Sequence, residues 1–178
     1  MDQHTKTACD QEEFSFKAEG QDWIASWHPS TLPYPEGQGH GSAAICITFE
    51  NNIVLVSSNG KHWDFPGGRP EGNEDWRMTM EREILEEACV KVEEASLLGF
   101  SKGVCVKGPE EGLVLVRSLW RAVVSLRDWQ PRYEINHRLV VPSDIALTWL
   151  LAHTRAPDGL QPIYRRWFYE ALNTSQHQ

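Results

Sequence analysis

Apolar and polar positions alternate from the first structured stretch of the chain. Phe14, Phe16 and Ala18 share one side, and Trp23, Ala25 and Trp27 repeat the pattern after Glu19-Gly20-Gln21-Asp22. This period of two predicts a hairpin with one buried face across residues 13–28. His28–Gly41 is rich in proline and glycine and predicts a loop. Ser42–Phe49 is apolar and β-branched, which predicts a strand; Glu50-Asn51-Asn52 marks a turn and Ile53–Val56 a return strand. Asn59-Gly60 marks a further turn. Trp63-Asp64-Phe65 reads as a short strand running into Pro66-Gly67-Gly68, where glycine supplies the freedom for a sharp bend.

The period then changes. Asp75–Ala88 predicts a helix whose apolar side, formed by Met78, Ile84, Leu85 and Ala88, should pack on a sheet. Val90–Phe100 reads as loop and strand, Leu113–Val124 as a long strand, and Glu134–Val141 as a short strand ending at Pro142. Ser143 is placed to cap a helix running through Ala152, and Pro157-Asp158-Gly159 breaks it. Gln161–Leu172 predicts a last helix, with Ile163, Trp167 and Ala171 on one stripe, Tyr164, Phe168 and Leu172 beside it, and Pro162 in its first turn. Many strands, one central helix and two late helices predict an α/β sandwich. Residues 1–12 are polar and read as a flexible tail before a single domain over 13–178.

The central helix carries an unusual acidic face. Glu83, Glu86 and Glu87 stand at i, i+3 and i+4, within an arc of about 100°. Like charges this close destabilise an isolated helix. A cluster of hard oxygen ligands makes sense around a hard divalent cation.

The stretch from Gly68 to Val90 reads Gly68, five residues, Glu74, seven residues, then Arg82-Glu83-Ile84-Leu85-Glu86-Glu87-Ala88-Cys89-Val90. It resembles the Nudix box, Gly-x5-Glu-x7-Arg-Glu-apolar-x-Glu-Glu-x-Gly-apolar. Of nine defined positions eight match, and Cys89 stands where the family usually has Gly. The resemblance implies an α/β/α sandwich with a mixed sheet. It also implies a divalent-metal-dependent hydrolase, in which water attacks phosphorus in a nucleoside diphosphate linked to another group.

The resemblance further implies Mg2+, with Mn2+ as a substitute. Glu86 and Glu87 would be ligands, and Glu83 a ligand or the base, with the carbonyl of Gly67 adding an oxygen. Gly68 would let the loop approach the metal closely. Arg82 counts among the catalytic candidates, although with Glu74 it fits better as an organiser of loop and helix, through a bidentate fork. Cys89 should cost backbone strain where the family's Gly leaves the helix with positive φ, or else reshape the turn. The windows that mark subfamilies hold Cys105, Val106, Lys107 and Gly108, which assign no substrate. The alternative reading is a catalytically silent Nudix-fold module that binds a nucleotide. A Nudix-like isomerase would need catalytic Cys and Glu outside the box, with Cys46 or Cys105 as the thiol.

Composition adds limits. The chain has 178 residues and a net charge of -8, which disfavours nucleic acid as the main partner and leaves a small phosphorylated molecule open. The four cysteines form no C-x-x-C and no zinc spacing, which fits a reducing compartment. The start Met1-Asp2-Gln3-His4 resembles no signal peptide, and no apolar run reaches membrane-spanning length. Cytoplasm is the expected location, without membrane association, and a homodimer is compatible with the chain. The substrate-binding residues stay unassigned. Among eight tryptophans, Trp63, Trp120 and Trp129 lie where a base could stack, and Arg117, Arg121, Arg132 and Arg138 could grip phosphate.

Overall fold

The computed structural model describes residues 11–174. Its elements are β1 (Glu13–Ala18), β2 (Gln21–Pro29), β3 (Gln38–Thr48), β4 (Asn52–Ser57), β5 (Gly67–Gly68), α1 (Trp76–Ala88), β6 (Val90–Lys107), β7 (Val114–Leu126), β8 (His137–Pro142), α2 (Ser143–His153), a 3-10 turn (Asp158–Leu160) and α3 (Gln161–Asn173). The strands form one sheet in the order β1-β2-β6-β7-β3-β4-β8, and β5 pairs with β3. β3 runs parallel to β7 and every other pair is antiparallel, so the sheet is mixed. No helix among the described residues is long and apolar enough to cross a membrane.

Two apolar layers sandwich the sheet. Ala43, Ile45, Ile47, Ile53 and Leu55 face α2 and α3, where Leu150, Ile163, Trp167 and Phe168 are buried against them. Ala44, Cys46, Val54 and Val56 face the other way, onto Met80, Ile84 and Ala88 of α1. β3 and β4 are buried on both faces, which is why they read as continuous apolar runs rather than alternating ones. The α/β/α sandwich with a mixed sheet is thus observed.

The hairpin β1–β2 turns through Glu19 and Gly20, both with positive φ, as a two-residue hairpin turn requires. Asp75 caps α1 by accepting from the amide of Met78 at 2.8 Å. Several expectations need correction. Met78 and Leu85 are exposed, and Met80 is the core residue, because the helix docks through the single stripe Met80–Ile84–Ala88. Residues 28–41 are only partly loop, since β2 extends to Pro29 and β3 starts at Gln38, where it pairs with Leu115. Trp63–Phe65 forms a single bridge, Asp64 to Val56, because Pro66 has no amide to continue a ladder. Ser143 is the first residue of α2 rather than its cap, and its hydroxyl accepts from Asn51 at 2.7 Å.

β6 is a single strand of 18 residues, where loop plus a shorter strand was expected. Register shifts at Val92/Glu94 and Leu97/Gly99 break its alternation and hide its length from a period-two pattern.

Cys89 ends α1 in the left-handed region, with φ 50° and ψ 54°. Its amide donates to Leu85 O at 3.1 Å, so the helix exit keeps the geometry that the family's Gly serves, with a strained residue in place. The thiol is buried and donates to Gln130 O at 3.3 Å. The Arg138 guanidinium, lying over the Trp129 ring, caps the exit by donating to Ala88 O at 2.9 Å and Cys89 O at 3.1 Å. Cys89→Gly should therefore be more stable than Cys89→Ala by about 0.5–1 kcal/mol, since Ala retains the left-handed strain. Chemical denaturation of both variants measures this; a more stable Ala variant would contradict the strained exit.

Candidate active site

The site begins with two glycines wedged between a strand and a helix. β5 lies against β3, and a Cβ on Gly67 would stand 2.5 Å from Ala43 Cα. On the other side, a Cβ on Gly68 would stand 2.3 Å from the carboxyl carbon of Glu83. At Gly67 the obstacle is backbone, so only glycine passes there, whereas at Gly68 a Cβ would push the Glu83 carboxylate from its place. The helix start is tied to the same strand by Ser42 Oγ, which donates to Trp76 O at 2.8 Å. The Gly67 amide donates to Glu87 Oε2 at 2.9 Å.

Arg82 organises the rest. Its Nε and Nη2 form a fork on Glu74 at 2.6 and 3.0 Å. Nη2 also donates to Arg69 O at 2.8 Å, and Nη1 to Glu83 at 3.0 Å and Glu86 at 3.3 Å. Glu74 in turn accepts from the Glu71 amide at 3.0 Å and from Thr79 Oγ1 at 3.1 Å. The guanidinium holds the Glu74 carboxyl down to about 2. The arginine thus ties the loop after β5 to α1 and neutralises part of the acidic face.

Glu83, Glu86 and Glu87 open with Arg82 onto a cavity of about 200 Å3, closed by Glu71 and by Arg132, Tyr133, Glu134 and Ile135. Burial pushes the Glu87 carboxyl up to about 7 against the pull of the Gly67 amide, and Glu83 and Glu134 push the same way. Glu83 is also raised, first by burial, although Arg82 opposes it. Among the described residues, no three acidic, His or Cys side chains already converge on a point fit for a metal ion. In this geometry Arg82 lies between Glu83 and Glu86, while Glu87 is held by the Gly67 amide.

The sequence profile of the NUDIX domain matches residues 39–159. The chain belongs to the Nudix family. Solved structures similar in fold include the Bacillus subtilis pyrophosphohydrolase BsRppH, 17% identical, covering 93% of this chain and 98% of that one with a TM-score of 0.68. A NUDIX hydrolase from Nitrosomonas europaea is 19% identical over 79% of this chain and 91% of its own, with a TM-score of 0.57. A MutT protein from Bacillus halodurans is 17% identical over 72% and 81%, with a TM-score of 0.56. No curated protein matches the chain. The family match and these folds agree with the expected Nudix pyrophosphohydrolase.

Gly67 and the box residues Gly68, Glu74, Arg82, Glu83, Glu86 and Glu87 therefore lie together along one side of α1. The residues expected outside the box divide. Arg121 is buried and donates to Ala171 O at 3.0 Å, and Arg138 caps α1, so both are structural. Arg132 lines the acidic cavity and Arg117 a larger one. Trp63 packs on Trp149 with centroids 5.7 Å apart, Trp120 is buried beneath α1, and Trp129 supports Arg138. None of these three lines either cavity; Trp23 and Trp167 line the larger. Cys46 and Cys105 are buried, with the Cys46 thiol pushed far up by burial and Cys105 donating to Gln21 Oε1 at 3.4 Å. Neither lines the acidic cavity. Sequence reasoning missed Glu71 and Glu134, because irregular segments bring them to the helix and no period or spacing announces that.

The Glu87 carboxyl gives this site a pH signature. Its folded pKa of about 7 lies above the ordinary 4.5, so without metal its stabilising share is complete below 4.5 and is lost as pH rises through 7. Glu87→Gln removes that loss. In chelator, the stability of Glu87→Gln relative to the native protein should climb between pH 5 and 8. A difference that stays flat across that range would contradict the burial of this carboxyl.

Proposed function

We propose that this Nudix protein hydrolyses a phosphoanhydride bond in a nucleoside diphosphate linked to another group, with a divalent cation held by Glu83, Glu86 and Glu87. The observation that carries this reading is the glycine wedge. Gly68 lacks a Cβ at the one place where a Cβ would displace the Glu83 carboxylate. A merely solvated acidic face would need no such accommodation.

The donor set fits Mg2+, and Mn2+ equally. It consists of carboxylate oxygens facing a small cavity, with the Gly67 carbonyl as a further oxygen donor. Bound there, the cation would neutralise the diphosphate and lower the pKa of a water. The chain's own residues do the rest. Arg82, forked on Glu74, would remain a positioning residue, with Glu86 free to turn from it to the cation. Glu87, whose carboxyl burial raises to about 7, would give up its proton to serve as a ligand. Glu134, facing the same cavity, can accept a proton from the attacking water, as can Glu83. A silent nucleotide-binding module has no need for this full set of carboxylates.

Turnover should depend wholly on added divalent cation. Glu86→Gln should keep the fold and lower turnover about a hundredfold or more, the scale of several kcal/mol in the barrier. A panel of nucleoside diphosphate derivatives, assayed with Mg2+ or Mn2+ for nucleotide release, measures both effects. Undiminished turnover in excess chelator, or in Glu86→Gln, would place the chemistry elsewhere.

A further inference from the structure

A cavity of about 640 Å3 lies on the sheet face opposite α1, between β1, β2, β6, β7 and α3. It meets the acidic cavity along one strip of backbone: Arg69 and Pro70 line the large cavity, and Glu71 the small one. Phe16, Trp23 and Trp167 give it apolar walls. This volume admits a nucleoside.

Several of the charges in it have no partner among the described residues, and Arg117 is the one that stands beside the box. Arg117, on β7, is half-buried and lines the cavity. It forms no hydrogen bond or ion pair with another described residue. Its Nε would stand 3.4 Å from a Cβ on Gly41, and the same Cβ would stand 2.6 Å from Gly68 O, so the guanidinium lies beside the box glycine. Asp64, the acid that feels Arg117, accepts from the Tyr164 hydroxyl on both oxygens at 2.9 Å and from the Phe65 amide at 2.8 Å. Arg69 and Lys102 add positive charge to the lining, and His40 is kept neutral by burial and by Arg117 and Arg69. Of the two lining acids, Glu110 is engaged by Gln21 at 2.7 Å and Glu19 is exposed in the turn between β1 and β2. A partly desolvated guanidinium without a carboxylate contact is an anion site, and its planar fork matches phosphate.

We propose that Arg117 binds a phosphoryl group of the substrate while the attached nucleoside lies against Phe16, Trp23 and Trp167. This rests on the hydrolase reading for its place beside the reacting bond, but the anion site needs no metal. It delivers the phosphate chain across the Gly68–Glu71 strip towards the carboxylates.

The test is metal-free. Binding of the four ribonucleosides and their 5′-monophosphates is followed by tryptophan fluorescence in chelator, using native protein, Arg117→Met and Arg117→Lys. At least one monophosphate should bind the native protein ten times or more tightly than its nucleoside. Arg117→Met should erase that margin, leaving nucleoside binding unchanged, and Arg117→Lys should retain part of it. For any hydrolysed substrate, Arg117→Met should raise KM about tenfold or more, with kcat within a few-fold. Equal binding of nucleoside and monophosphate by the native protein, no binding of either, or an unchanged margin in Arg117→Met overturns the proposal. Failure of the hydrolase reading would show instead as absent turnover in every variant, with the metal-free margin intact.

Discussion

Everything in this site depends on how closely the β5 backbone passes between a strand and a helix. The passage is two glycines wide: Gly67 is closed off by β3 and Gly68 by the Glu83 carboxylate. From that contact follow the hydrogen bond of Gly67 to Glu87, the shared strip between the two cavities, and the position of Arg117 beside Gly68 O. The sheet supplies the rigid side of the wedge, because β3 is buried on both faces and paired over most of its length with β7. α1 supplies the other side, fixed by its apolar stripe and by the Asp75 cap.

Electrostatics explains why a helix can carry so much negative charge. Arg82 donates to Glu74, Glu83 and Glu86 at once, and burial raises Glu83 and Glu87 towards their neutral forms. The metal-free site is thus held together by one cation of its own and by incomplete ionisation. A divalent cation would substitute for both, which links metal binding to proton release.

The sequence makes the box legible because its chemistry is written on one helix, where spacing translates directly into a shared face. The strained exit at Cys89 was legible for the same reason. The packing side of that helix was less so: Met78 and Met80 differ only in which stripe docks on the sheet. The bulges of β6 hide an unbroken strand from any two-residue period. Glu134 reaches the carboxylates through an irregular stretch whose path no periodicity encodes. The aromatic lining was hidden for a related reason: Trp63, Trp120 and Trp129 were expected on or beside strands near the box and line neither cavity, while Trp23 and Trp167 reach the larger one only through the fold.

Anomalous diffraction from crystals containing Mn2+ tests the central claim most directly, because it locates the cation without reference to any substrate. The account predicts a peak bounded by the carboxylates of Glu83, Glu86 and Glu87 and the Gly67 carbonyl, at roughly 2.0–2.3 Å from ligand oxygens. Arg82 should remain on Glu74 and have left Glu86. A peak away from these residues, or none at saturating Mn2+, would contradict it.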